Sequence, residues 1–255
     1  MRILRPIGSL IYADDLGILP RQAKPPPPIW HPVLAELTER LHAHYGDALI
    51  SVALRGSVAR GTDVIGVSDL DLVLFLSGAS DRIALQSSLM PGLRIETALV
   101  NADTFPIGGS DAWMRFILAL SGWHVWGVDI IATLPPPHLG PHAMAHLPRA
   151  DRWLAGWQVY WADETDAADR KDICQWLMKR IVRSLMESQM LRLGAYSRDI
   201  YPCAQTAASA FPDQQSAIWQ AAEYAIAPTH ARCQIARVVA ELEPLLLGHQ
   251  ASLKG

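Results

Sequence analysis

Hydrophobic and polar positions divide this 255-residue chain into two stretches of different rhythm. In the first, helical spacing alternates with short apolar runs; in the second, helical spacing persists nearly to the end. Val33, Leu34, Leu37 and Leu41 predict a helix from about Trp30 to Tyr45, ended by Gly46. Leu49 to Leu54 is an apolar run with no room for a helix before Gly56, so it reads as a first strand, and Leu70 to Leu76 as a second. A short helix is predicted over Arg82 to Met90, a third strand over Leu93 to Val100, and another helix over Asp111 to Leu120. Further on, Asp151–Trp161, Arg170–Leu193, Tyr201–Phe211, Gln214–Ala227 and His230–Leu246 all read as helices.

Proline punctuates this pattern. Pro25 to Pro28 form a stiff polyproline II spacer closing an N-terminal extension, and Pro135 to Pro137, Pro141 and Pro148 mark a linker. The expected organisation is an extension over 1–28, a mixed α/β domain over 29–134, a linker over 135–149 and a helical domain over 150–255. Half the residues are apolar, enough for a sizeable core, and the net charge of −3 argues against a protein held to nucleic acid mainly by phosphate neutralisation. A small partner is therefore favoured over a polymer. Cys174, Cys203 and Cys233 are widely spaced and form no Cys-x-x-Cys, which indicates neither a disulfide framework nor a zinc site. Arg2 and Arg5 are followed by Pro6, Gly8, Asp14 and Asp15, which interrupt any apolar run, so no signal peptide or membrane span is expected. The expectation is a soluble, cytoplasmic protein.

Chemistry concentrates in Leu54 to Leu76, LRGSVARGTDVIGVSDLDLVLFL. Successive strand side chains point to opposite faces, so Asp69 and Asp71 share one face while Leu70, Leu72, Leu74 and Leu76 share the other. Two carboxylates aimed at one point suit magnesium, which takes hard oxygen ligands, commonly one or two carboxylates plus substrate phosphates. Gly56 lets the backbone approach a phosphate closely, and Ser57 offers a hydroxyl and an N–H to it.

Gly56-Ser57 followed by Asp69-x-Asp71 resembles the signature of the DNA polymerase β-like nucleotidyltransferase superfamily. The resemblance implies a nucleotidyltransferase sheet with flanking helices, an α/β (α+β) fold, followed by a C-terminal helical bundle. It implies Asp69, Asp71 and a third carboxylate as catalytic and metal-binding residues, with two Mg2+ ions and ATP as co-substrate. In LRIETALV, Glu96 is the candidate third acid, on the side of Arg94, Ala98 and Val100 and opposite Ile95, Thr97 and Leu99. That segment is similar to the strand carrying the glutamate base in aminoglycoside adenylyltransferases of the streptomycin and spectinomycin type. Burying Glu96 there is expensive unless a cation or hydrogen bonds compensate it, and the plainer reading is an edge-of-sheet acid paired with Arg94 or Arg60. The segment ending Trp126-Gly127-Val128-Asp129 resembles a less specific turn of the same family.

Phosphate-binding candidates are Gly56, Ser57 and Arg60 from the first motif and, by the family's use of a cation from the second domain, Lys179, Arg180 and Arg183, with Tyr196 and Ser197 further on. On the wheel Arg180 falls beside the stripe of Ile173, Leu177, Ile181 and Leu185; the plainer reading is a solvated face with an Arg183–Glu187 surface pair. Trp153, Trp157 and Trp161 stripe one helix face, as core packing in the first instance. Asp163, Glu164, Asp166 and Asp169 read as acids favoured at a helix start, the alternative being a lip that attracts a polycationic acceptor. His138, His142 and His146 read as exposed linker residues. The expected activity is transfer of a nucleoside monophosphate, AMP from ATP, to a hydroxyl of a small acceptor of aminoglycoside type. A toxin-like enzyme acting on RNA or protein, with nucleic acid the less favoured partner, and a nucleotide-binding module without catalysis are the alternatives.

Overall fold

The computed structural model describes residues 6–78, 81–105, 111–164 and 166–253; Arg2 and Arg5 lie outside them. Its strands, in chain order, are β1 (Ile11–Tyr12), β2 (Leu49–Arg55), β3 (Leu70–Leu76), β4 (Ile95–Asn101), β5 (Trp123–Gly127) and β6 (Ala195–Tyr196). The α-helices are α1 (His31–Tyr45), α2 (Gly56–Arg60), α3 (Ala112–Ser121), α4 (Ala150–Asp163), α5 (Ala167–Leu193), α6 (Ile200–Ala210), α7 (Gln215–Ile226) and α8 (Arg232–Ser252). The chain packs as two compact units, one of residues 14–138 and one of residues 6–13 with 139–253. Among the described residues no helix is long and apolar enough to cross a membrane.

The first unit is built on a four-stranded mixed sheet in the order β4-β3-β2-β5. Strand β2 runs antiparallel to β3 and β5, and β3 runs parallel to β4. Every residue of β3 is buried, so the period of two sorts apolar side chains between two cores. Leu70, Leu72, Leu74 and Leu76 join Val33, Leu37 and Leu41 of α1 on one face. Val73 and Phe75 join Ala53, Val100, Phe105 and Leu118 on the other. Buried aliphatic side chains of this kind each contribute about 1.5–3 kcal/mol.

Two expectations change here. The segment Arg82 to Met90 is not helical. The carboxylate of Glu36 accepts from the Ser87 hydroxyl at 2.6 Å and from the Ser88 N–H and hydroxyl at 2.8 and 2.7 Å, and Arg40 donates to the Gln86 carbonyl. These tethers to α1 satisfy the segment's polar groups without a helix, while Leu85 drops into the core beneath α1. Second, Trp123–Gly127 forms the edge strand β5 where only a turn was expected. Gly127 permits it: its φ is +81°, and a Cβ there would collide with the Ile50 carbonyl. Asp129 then accepts from the Ala132 N–H at 3.1 Å, capping a single 3-10 turn.

The Glu36 clamp carries a pH signature. Its hydrogen bonds from Ser87 and Ser88 hold the carboxyl down to about 2, well below the usual carboxylate range. A depressed folded-state pKa means the stabilisation is present above the unfolded value and is lost as pH falls through it towards the folded one. Wild type is therefore expected to exceed Glu36→Gln in urea midpoint near neutrality, with the gap closing as pH drops towards 2; a gap constant across that window would disprove the clamp.

The second unit is helical, with β1 and β6 paired as a two-stranded ribbon. The predicted helices are all present within a few residues of their expected ends, and the last runs on through Pro244 to Ser252. Trp153, Trp157 and Trp161 are all buried, as core packing requires. Asp166 caps α5 by accepting from the Ala168 N–H at 2.6 Å. Like charge from Glu164, Asp166 and Asp172 pushes Asp169 up from its ordinary value. Of residues 6–28, Leu19 is 1% exposed and Ile11–Tyr12 adds β1 to the ribbon. Burial pushes Cys174 up to about 11 and Cys203 up to about 12, so neither offers a thiolate nucleophile near neutrality.

Candidate active site

Three residues of the sheet unit lie in one row. Arg55 is the register partner of Asp71 across β2 and β3, and Asp71 is the partner of Glu96 across β3 and β4. Residues paired in register share a face, so one cation and two carboxylates emerge side by side. Arg55 Nη2 lies 2.8 Å from Asp71 Oδ1 and 3.9 Å from Glu96 Oε2. The side chains of Arg55 and Asp71 are 17% and 12% exposed, whereas that of Glu96 is 53% exposed. Asp71 is thus held inside the rim of the sheet and Glu96 opens towards solvent.

The turn after β2 is shaped to receive this row. Gly56 has a φ of +82°, and a Cβ there would fall on the carboxyl of Asp71. Only glycine lets the backbone lie against that carboxylate. Gly56 and Ser57 begin α2, a single turn that ends on Gly61 in the left-handed conformation, with the Thr62 N–H donating to the Ser57 carbonyl at 3.0 Å. Asp69 is half-buried one residue before β3. Arg60, also half-buried, ends the α2 turn. The structure therefore gathers Gly56, Asp71 and Glu96 at one end of the sheet, with Ser57, Arg60 and Asp69 within a few residues of them in the chain.

Arg55 was not among the sequence candidates. It stands immediately before the Gly-Ser pair, and only the register of β2 against β3 sets it opposite Asp71. Arg55 Nη2 is a cation within 3.9 Å of Glu96.

Among the described residues, no group of three or more His, Cys, Asp or Glu side chains forms a ready metal cluster. The donor set nevertheless fits magnesium as that ion is usually held, by one or two protein carboxylates with phosphate oxygens completing the shell. Asp71 already faces a cation at hydrogen-bonding distance, so the position demands positive charge.

The helical unit holds the remaining candidates. Lys179, Arg180 and Arg183 lie half-buried on α5. Arg180 stacks over Trp176 at 4.4 Å and lies 3.3 Å from His146 Nδ1 through Nη1, and Arg183 Nε donates to the Arg198 carbonyl at 3.1 Å. Tyr196 is 2% exposed, and burial pushes its phenol up against the pull of Arg198. Two plain readings are corrected. Glu187 is no surface partner of Arg183: it is 4% exposed, and its carboxylate accepts from the backbone N–H groups of Ala145, His146 and Leu147. Burial pushes it up, against the pull of those N–H groups and of Arg198. His146 is not an exposed linker histidine, because that hook draws its backbone inward; His138 and His142 do remain exposed. Burial, with Arg198, Arg183, Arg180 and Arg149, lowers His146 well below its ordinary value and keeps it neutral.

No protein-family model matches the chain, and no curated protein matches it in sequence. Its structure is similar to a crystal structure of spectinomycin adenyltransferase AAD(9) from Enterococcus faecialis with ATP and spectinomycin. The TM-score is 0.51 at 14% identity, over 82% of this chain and 98% of that one. The likeness shows the fold alone: a mixed α/β sheet with its accompanying helices.

Proposed function

We propose that the protein is a metal-dependent nucleotidyltransferase that moves AMP from ATP to a hydroxyl of a small-molecule acceptor of aminoglycoside type. The observation that carries this reading is the in-register row of Arg55, Asp71 and Glu96 against the backbone of Gly56. The fold supports it, since a nucleotidyltransferase of the same fold has been solved with ATP and a hydroxyl-bearing antibiotic.

In this reading Gly56 and Ser57 bind the β and γ phosphates through backbone N–H groups and the hydroxyl, with Arg60 beside them. Asp69 and Asp71, joined by Glu96, would hold the divalent cations, which when bound would neutralise charge developing on the triphosphate. Glu96, the most exposed member of the row, accepts the proton of the acceptor hydroxyl. The freed oxygen bonds to the α-phosphorus, and pyrophosphate leaves with the electron pair of the broken bond.

The test is pyrophosphate release from magnesium and ATP with a panel of aminoglycosides and spectinomycin, run beside total RNA and a protein lysate. Release that depends on an antibiotic hydroxyl is the expected result. Label transferred to RNA or protein would reassign the acceptor, and calorimetric ATP binding without any release would leave a binding module.

A further inference from the structure

We propose that Arg55 is a resident counter-cation that couples metal binding to nucleotide binding: it holds Asp71 and Glu96 together until a nucleotide's phosphate oxygens take its guanidinium and a divalent cation takes its place. The inference rests on the functional reading above and adds a positioning residue to it.

The geometry starts from one nitrogen. Arg55 Nη2 contacts Asp71 at 2.8 Å and approaches Glu96 at 3.9 Å, on the same carboxylates that the cation would use. Guanidinium and divalent cation repel one another at such distances, so the two compete for Asp71. A metal ion arriving alone must displace Arg55 within a mostly buried surrounding, since its side chain is only 17% exposed.

A second atom shows where Arg55 goes. Its Nε is buried and has no hydrogen-bond partner among the described residues. A buried donor without a partner is costly, and an arginine fork is matched to the oxygens of a phosphate. Arg55 immediately precedes Gly56 and Ser57, the residues assigned to the triphosphate. A nucleotide bringing metal and phosphate together therefore completes an exchange: Asp71 trades a guanidinium for the metal, and Arg55 trades a carboxylate for phosphate oxygens. Either ligand alone leaves one half of the exchange unsatisfied, which is a coupling free energy between two sites.

The experiment measures Mn2+ binding by electron paramagnetic resonance, with and without α,β-methylene-ATP, correcting for metal bound by the nucleotide in solution. In wild type the analogue is expected to tighten Mn2+ binding within the usual coupling range, roughly 5- to 150-fold. Arg55→Gln is expected to bind Mn2+ alone about tenfold more tightly than wild type and to lose most of that coupling. Arg55→Lys keeps the charge and is expected to hold metal-alone affinity at the wild-type level. An Arg55→Gln protein that binds Mn2+ alone no better than wild type overturns the proposal. If that variant does not fold, wild type decides by itself, because equal Mn2+ affinity with and without the analogue also overturns it. Asp71→Asn separates the two levels: should it bind Mn2+ with the analogue as wild type does, the functional reading fails, whereas its failure to bind beside an unchanged Arg55→Gln sinks only the role of Arg55.

Discussion

Asp71→Asn is expected to lower nucleotidyl transfer on the order of a thousandfold or more, with kcat carrying most of the loss. Asparagine keeps the shape that lies against Gly56 and one acceptor oxygen for Arg55, but it removes the charge that holds a divalent cation. The fold is expected to survive. The Arg55–Asp71 contact is charge-assisted and mostly but not wholly buried, so weakening it costs about 1–3 kcal/mol, discounted by the remaining exposure. A thermal melt taken beside the kinetics checks that the loss is chemical. Glu96→Gln provides the contrast: exposed at 53% and standing at the sheet edge, it should leave the melt almost unchanged. Its transfer rate should fall about 10²- to 10⁴-fold, as removal of a proton acceptor does. Wild-type rates in Asp71→Asn would leave the protein its fold and remove the activity proposed for it.

Much of the sheet unit was legible in the sequence because one face of each strand is committed to a core. The leucines at 70, 72, 74 and 76 could only pack together on one side, which put Asp71 on the other. The same period put Glu96 beside Ala98 and Val100, and the register then aligned it with Asp71. What escaped the sequence was decided by contacts distant along the chain. Nothing local distinguishes Ser87 and Ser88 from helix residues until Glu36 of another element binds them. Strand β5 is short and aromatic, and its identity depends on Gly127 passing close to the Ile50 carbonyl. Arg55 ends a strand and looks like any solvated cation until its register partner is known to be Asp71. Glu187 shows the same limit in a helix: its spacing from Arg183 satisfies a surface pair, and only the path of residues 145–147 reveals that it is an interior acceptor.

Glu187→Ala is expected to be the most damaging single change to the helical unit, at about 3–5 kcal/mol, the range for removing one partner of a buried charged group. Its two oxygens accept from the Ala145 N–H at 2.9 Å, the His146 N–H at 3.0 Å and the Leu147 N–H at 2.7 Å. Those groups lead the chain into the 3-10 turn Leu147–Arg149 and then into α4, so one carboxylate fixes how that helix begins. Alanine would leave the three donors without their acceptor and remove the negative charge that faces Arg198. A domain of this size has about 5–15 kcal/mol of stability in all, so the variant should unfold at markedly lower urea. Glu187→Gln separates hydrogen bonding from charge. It keeps one accepting oxygen but turns an amide NH2 towards an N–H donor, and it should fall between wild type and Glu187→Ala. Hydrogen exchange supplies the local reading: the amides of 145–147 are expected to be slow in wild type and faster in both variants, while those of β3 stay protected. Unchanged exchange at 145–147 in Glu187→Ala would show that these residues are held by something other than the carboxylate.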